Sequence, residues 1–227
     1  EVAVIHHNGN SVPMPDVRAS YLAWSPDGRW LALSYNDQDI YILEVETGVI
    51  LPLPGASDPT VIETMPAWAS DGKTIAFVRS PQTAPPPDTA EINVPCDIYT
   101  VPFVSADEPA PQNPGEAPAQ RNIQALPLPG ASGDGFNYYP AYSPDGKWLA
   151  FTRHLTGTDT YADDASDIYI IPASGTQKAV RLKINSEYAD SWPTWSPDSK
   201  WLGFGSNRKD GQFDILVSPI GDNGLPY

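Results

Sequence analysis

Three histidines and one acidic loop are the residues of this chain whose types could do metal chemistry: His6, His7 and His154, and the stretch TGTDTYADDASD at 156–167. Successive side chains of a strand point to opposite faces, so His6 and His7 meet one ion only where the strand has ended. A metal-binding set of His6 or His7 with His154 and a carboxylate is one arrangement to test; ordinary surface histidines are the simpler reading. The acidic loop gathers Asp159, Asp163, Asp164 and Asp167, and calcium favours several carboxylate and carbonyl oxygens on a flexible segment. Its spacing departs from the helix-loop-helix pattern D-x-[DN]-x-[DN]-G, and a solvated acidic loop is again the simpler reading. No other cofactor is implied.

Nucleophilic hydrolysis would need a Gly-x-Ser-x-Gly elbow with downstream Asp and His. Neither GASDP at 55–59 nor GASGDG at 130–135 matches it. The lone Cys96 cannot form an internal disulfide, so burial and strand pairing must hold the fold. With 13 Lys+Arg against 28 Asp+Glu, a net charge of −15, the chain is a poor match for nucleic acid or anionic lipid, which need clustered cations. No apolar run is long enough to span a bilayer. The chain opens at Glu1 rather than Met, which fits a processed end or an excerpt of a longer polypeptide.

Elements that could position such residues are announced by a repeat. WSPDGRWLALSY at 24–35 recurs as WASDGKTIAFVR at 68–79, YSPDGKWLAFTR at 142–153 and WSPDSKWLGFGS at 195–206. Its anchors, Asp27, Asp71, Asp145 and Asp198, stand 44, 74 and 53 residues apart, a basic unit close to a propeller blade. Ser-Pro-Asp-Gly is turn chemistry, since Pro presets φ, Asp bonds the backbone ahead and Gly accepts positive φ. The turn therefore closes the inner hairpin of a blade. A third strand follows at 39–45, 97–103, 167–173 and 213–219, and a weaker outer strand at 49–55, 123–130 and 179–184. A four-stranded sheet with two apolar faces must stack on its neighbours. The expected fold is all-β: a β-propeller of four-stranded antiparallel blades spanning 1–227, with a proline-rich insertion at about 81–120. Pro52, Pro54, Pro127 and Pro129 fall in outer strands, where a missing N–H is tolerated at an edge.

The recurring W-S-P-D-G-K-x-[IL]-A-F followed by an Ile-Tyr strand resembles the TolB-like β-propellers over nearly the whole chain. Ser70 in place of the turn proline and Ser199 in place of the turn glycine depart from the pattern and imply adjusted turns. The resemblance implies an extracytoplasmic bacterial protein, periplasmic or cell-surface, or a domain of a larger one. It also implies a non-catalytic scaffold with a protein partner in an envelope or surface assembly. Its minority alternatives are a metal-dependent lyase and the accessory propeller of a serine peptidase whose catalytic domain lies elsewhere. Two blade arrangements stay open. Either VAVIHH at 2–7 pairs with the fourth unit and closes a small ring, or the four units are part of a larger propeller.

Within the repeat, Asp39, Asp97 and Asp167 precede the third strands and read as structural, because a residue present in every unit serves the unit. Trp24, Trp68, Trp195 and Tyr142 read as packed between blades. Trp192 is less constrained by the repeat and is a candidate surface aromatic.

Overall fold

A computed structural model describes residues 19–36, 38–80, 95–105, 123–155 and 163–227, together with the strand backbones at 3–5 and 11–13. The proline-rich insertion lies for the most part outside the described residues, as do His6, His7 and Asp159.

The first strands of the four blades are β3 (Ala19–Trp24), β7 (Ile62–Trp68), β11 (Phe136–Tyr142) and β15 (Asp190–Trp195). Across the tight turn they pair with β4 (Trp30–Tyr35), β8 (Thr74–Ser80), β12 (Trp148–His154) and β16 (Trp201–Ser206). Third strands are β5 (Asp39–Glu44), β9 (Asp97–Pro102), β13 (Ser166–Pro172) and β17 (Asp214–Pro219). Outer strands β6 (Ile50–Pro52), β10 (Leu126–Pro127) and β14 (Val180–Arg181) complete three blades, and the fourth has three described strands. The described residues build four blades of an all-β propeller, with only a short 3-10 turn at Pro129–Ala131 as helical structure among them. β1 (Ala3–Ile5) pairs with β2 (Ser11–Pro13) as a separate two-stranded sheet. Of the two blade arrangements left open, the pairing of VAVIHH with the fourth unit does not form among the described strands, where β17 pairs only with β16.

Each turn is wired by its own sequence. The Ser25 hydroxyl donates to Asp27 at 2.5 Å, the Arg29 N–H also donates to Asp27, and the Trp30 N–H donates to Ser25 at 2.9 Å. Ser143, Asp145 and Trp148 repeat this, as do Ser196, Asp198 and Trp201. In the second blade Ala69 holds the serine's place, and only the Asp71 bond to the Lys73 N–H remains among those of this turn.

Of five buried apolar clusters among the described residues, three join the third strand of one blade to the second strand of the next. Ile40 and Ile42 of blade 1 pack on Trp68, Ile75 and Phe77 of blade 2. Ile98 packs on Leu149 and Phe151, and Ile168 and Ile170 on Leu202 and Phe204. Burying each such side chain is worth about 1.5–3 kcal/mol, which a lone sheet could not collect on both faces.

The tryptophans follow the expectation in part. Trp68 donates its indole N–H to Ala23 O at 3.0 Å and Trp195 to Ala141 O at 3.0 Å, each reaching back one blade. Tyr142 is in the second cluster, and burial pushes its hydroxyl up to about 12. Trp24 departs from the pattern: it is 58% exposed, because among the described residues no first strand stands behind it to receive it.

Candidate functional site

Every first strand breaks register once. The shift falls at Tyr21, at Met65-Pro66, at Tyr139-Pro140 and at Trp192-Pro193. Proline has no N–H to give the ladder, so pairing with the second strand must skip at 66, 140 and 193. The residue before the break takes a left-handed backbone: φ is 49° at Tyr21, 53° at Met65, 51° at Tyr139 and 54° at Trp192. Bulky side chains rarely occupy that region, at a cost of about 1–3 kcal/mol each.

Neighbouring blades help to hold the strained peptides. The Met65 N–H donates to Ser34 Oγ at 3.1 Å, and Ser34 shares a hydrogen bond with Thr64 at 2.9 Å. Two junctions later, the Trp192 N–H donates to Thr152 Oγ1 at 3.3 Å, and Thr152 shares one with Ser191 at 3.2 Å. Ser34 and Thr152 are both buried second-strand residues of the preceding blade. Val78 occupies their place before Tyr139 and has no hydroxyl to offer.

These bulges bring Tyr21, Met65, Tyr139 and Trp192 to one mouth of about 270 Å³, completed by Leu22, Pro66, Pro140, Pro193 and Thr194. Tyr21 and Tyr139, from blades 1 and 3, approach to 6.2 Å between ring centres. Tyr139 meets Trp192 edge-on at 5.5 Å, and Trp192 leans on Phe213 at 5.7 Å. Among the described residues no charged side chain lines the mouth, while Tyr21 and Trp192 remain about two-fifths exposed. The arrangement offers ring faces and edges to an uncharged or apolar group.

Charged groups at the blade junctions are used differently. Arg79 binds the fully buried Glu63, reaches Gly55 O of blade 1 at 2.8 Å, and lies over Tyr99 at 4.8 Å. Arg153 repeats this with Asn137 at 2.7 Å, Gly130 O at 3.3 Å and Tyr169 at 4.9 Å. Arg208 binds Asp190 at 2.5 Å and Ile184 O at 2.8 Å. Each arginine staples one blade to the loop that precedes it. Burial pushes the Glu63 carboxyl up, opposed by the Asp58 N–H and Arg79 that bond it.

Of the residues singled out for metal chemistry, His154, Asp163, Asp164 and Asp167 are among the described residues. His154 is buried on β12, with Nε2 3.2 Å from Asp163 Oδ1 and its ring edge-on to Phe136. Asp167 is bound by Arg181 through both carboxylate oxygens, at 2.6 and 2.7 Å. Asp163 also accepts the Ala165 N–H, and Asp164 sits in the adjoining turn. Among the described residues no three His, Cys, Asp or Glu side chains are placed to hold a metal ion. Asp97 accepts from Gly133 N–H and Asn137, so it and Asp167 each tie down a loop or strand, whereas Asp39 leaves Oδ1 buried without a hydrogen bond. Burial and the nearby Asp58 raise the Asp39 carboxyl. Of the mouth residues, only Trp192 stands out in the sequence. The available signal is M-P-A-W, Y-P-A-Y and W-P-T-W in register, where a large side chain always precedes the proline.

Comparison with known proteins agrees with this architecture. Residues 6–64 match the family model of the anaphase-promoting complex subunit 4 WD40 domain. "Uncharacterized peptidase YuxL" of Bacillus subtilis is 30% identical over 178 residues, 72% of this chain and 26% of that protein. Dipeptidyl-peptidase 5 of Trichophyton equinum is 27% identical over 134 residues, 59% of this chain and 16% of that protein. The chain thus spans about a quarter or less of these curated relatives. Among solved structures, TolB from Acinetobacter baumannii superposes with a TM-score of 0.60 at 18% identity, over 94% of this chain and 44% of that one. An oligogalacturonate lyase in complex with manganese superposes at 0.62 and 12% identity, over 97% of this chain and 56% of that one. By its blades, its repeat and these likenesses, the chain has a β-propeller fold similar to those of TolB and of WD-repeat proteins.

Proposed function

We propose that this propeller is a non-catalytic recognition platform that binds a protein partner through the aromatic mouth. The observation that carries the reading is the convergence of Tyr21, Met65, Tyr139 and Trp192, each from a strained bulge, on an opening that no charged side chain lines among the described residues. Strained backbone kept at one place in every blade needs a return, and a pre-organised docking surface is one. An apolar mouth in a chain of net charge −15 would take an apolar side chain presented by a protein segment. By likeness to TolB, the setting is extracytoplasmic and the partner part of an envelope or surface assembly. No helix among the described residues is long and apolar enough to cross a membrane.

The test is a peptide-display selection on the immobilised chain, followed by titration of the enriched peptide. Removing a ring worth about 1.5–3 kcal/mol of burial weakens binding by about ten- to a hundredfold. Tyr139→Ala and Trp192→Ala should each do so, with unfolding midpoints measured alongside. Peptides that bind equally well to both variants would refute the mouth as the site.

A second reading rests on the two curated relatives, both named as peptidases. On it, the same mouth admits peptides to a hydrolase domain carried elsewhere in the polypeptide. A fluorophosphonate probe that labels the protein made from its own gene, but not these 227 residues alone, would favour that reading.

A further inference from the structure

The second strands of blades 1 and 3 both open on a tryptophan, and the residue after the next blade's third strand packs near it. That residue holds one place throughout: the N–H groups of Phe103, Ala173 and Ile220 donate to Lys73 O, Lys147 O and Lys200 O. At the junction of blades 3 and 4, Trp148 belongs with Ile220 in one apolar cluster. The chain then turns back, with Ile220 bridged to Pro226, and Gly224 lies so near the indole that a Cβ there would come within 2.7 Å of it. Blade 4 thus covers the ring of blade 3 with the segment that leaves its own third strand. At the junction of blades 2 and 3 the same two places hold Thr74 and Ala173, and there is no ring to cover.

At the junction of blades 1 and 2 the pair is Trp30 and Phe103, edge-on with ring centres 5.4 Å apart. Beside them an apolar groove of about 270 Å³ runs along the outer strand of blade 1, walled by Val49, Leu51, Pro52 and Pro54. Val49 and Leu51 stand 49% and 59% exposed. Ser105 and Ile123 complete the walls. They bracket residues 106–122, ADEPAPQNPGEAPAQRN, which lie outside the described residues. The connection from third to outer strand is 45–49 in blade 1 and 173–179 in blade 3, but 103–125 in blade 2. This long connection leaves from the place of the segment that covers Trp148, and it starts and ends on the groove.

Its composition suits such a seat. Pro109, Pro111, Pro114 and Pro118 favour an extended backbone that loses little entropy on docking, and aromatic-lined grooves take segments of this kind. Tethering at both rims supplies an effective concentration in the millimolar range, so an affinity of only about 0.1 mM keeps the groove filled about nine-tenths of the time. We propose that the groove between blades 1 and 2 is the seat of the chain's own segment 106–122, which lays its prolines over Trp30 and Leu51 as the segment after Ile220 lies over Trp148. The groove shares no residue with the mouth, so the proposal is independent of what the mouth binds.

The experiment measures thiol labelling of Leu51→Cys in two backgrounds of the protein expressed from its own gene: the native sequence, and one with 106–122 replaced by a Gly-Ser run of equal length. Lys178→Cys, on an exposed loop of blade 3, gives the open-surface rate, and the native Cys96 is buried. The expected result is that Leu51→Cys is labelled about tenfold more slowly in the native background while Lys178→Cys is labelled equally in both. A synthetic 106–122 peptide at millimolar concentration should slow the labelling of Leu51→Cys in the Gly-Ser background. Equal rates for Leu51→Cys in the two backgrounds would overturn the proposal. Protection that vanishes on dilution would overturn it too, by making the segment of a second copy the occupant. Val49→Cys gives the same readout should Leu51→Cys perturb folding.

Discussion

Arg79 and Arg153 make nearly the same contacts with one difference, and that difference can be weighed. Both lie over a Phe and a Tyr of their own blade and bond a carbonyl of the preceding loop. Arg79 faces the carboxylate of Glu63, whereas Arg153 faces the amide of Asn137. Replacing either by methionine keeps apolar bulk and removes the staple, so both variants lose comparable bonds. Only Arg79→Met strands a fully buried carboxylate. That group escapes by taking up a proton. From an ordinary value of about 4.3, neutralisation at pH 7 costs about 3.7 kcal/mol, which caps the extra penalty, and at pH 5 the cap falls to about 1 kcal/mol. The stranded Glu63 has a folded-state pKa above its unfolded value. Its variant therefore keeps its stability below about pH 4.3 and loses it as pH rises through the folded-state value. Urea unfolding at pH 7 and pH 5, each variant referred to the parent at the same pH, should show Arg79→Met worse than Arg153→Met by about 2–3.5 kcal/mol at pH 7 and by no more than about 1 at pH 5. Glu63→Gln added to Arg79→Met should bring it to the level of Arg153→Met. Equal penalties at both pH values would refute the assignment of Glu63 as a buried charge held by Arg79.

Two further outcomes test the turns and a close contact. Ser25→Ala removes a buried hydroxyl that donates to Asp27 and accepts from Trp30, costing about 1–2 kcal/mol in urea unfolding. The Ser25 hydroxyl, followed by the Arg29 N–H, holds the Asp27 carboxyl below its ordinary value. Its contribution is therefore present above about pH 3.9 and fades as pH falls through the folded-state value, so the variant should be less sensitive to acid over that range. Gly135 has φ of 71°, and an added Cβ would sit 2.4 Å from His154 O; Gly135→Ala should cost at least about 2 kcal/mol by the same assay.

Most of the fold was legible because the turn chemistry is written out four times. The third strands expected at 39–45, 97–103 and 213–219 form at Asp39–Glu44, Asp97–Pro102 and Asp214–Pro219. Outer strands are shorter than expected, Ile50–Pro52 for 49–55 and Leu126–Pro127 for 123–130. Beyond Pro52 and Pro127, which supply no N–H, the regular pairing gives way to single bonds, Leu53 N–H to Ile40 O at 2.9 Å and Leu128 N–H to Ile98 O at 2.8 Å. The mouth was hidden for a different reason. Tyr, Met and Trp have no preference for positive φ, so nothing in their identity announces a left-handed bulge. The exposure of Trp24 could not be read either, since its sequence context matches that of Trp195, which is packed on Ala141.

Repetition separates what holds the mouth from what the mouth holds. The four bulge residues share one backbone conformation yet carry Tyr, Met, Tyr and Trp, so the conformation belongs to the scaffold and the side chain is free to vary. Trp192 shows the division best: its peptide N–H is taken by Thr152 while its ring stands two-fifths exposed against Tyr139 and Phe213. Changing the ring and changing the pin should therefore have different signatures. Trp192→Leu should weaken binding of a selected peptide by about tenfold and shift stability by less than about 1 kcal/mol, since part of the ring is already in water. Thr152→Val keeps the shape but takes one hydrogen bond from the Trp192 N–H and one from the Ser191 hydroxyl, at about 1–3 kcal/mol. It should lower stability, and it should weaken binding as well, because the bulge that aims the ring is no longer held. If Thr152→Val left binding untouched while destabilising the fold, the pin would be part of the blade junction alone, and the mouth would owe its shape to the rings that fill it.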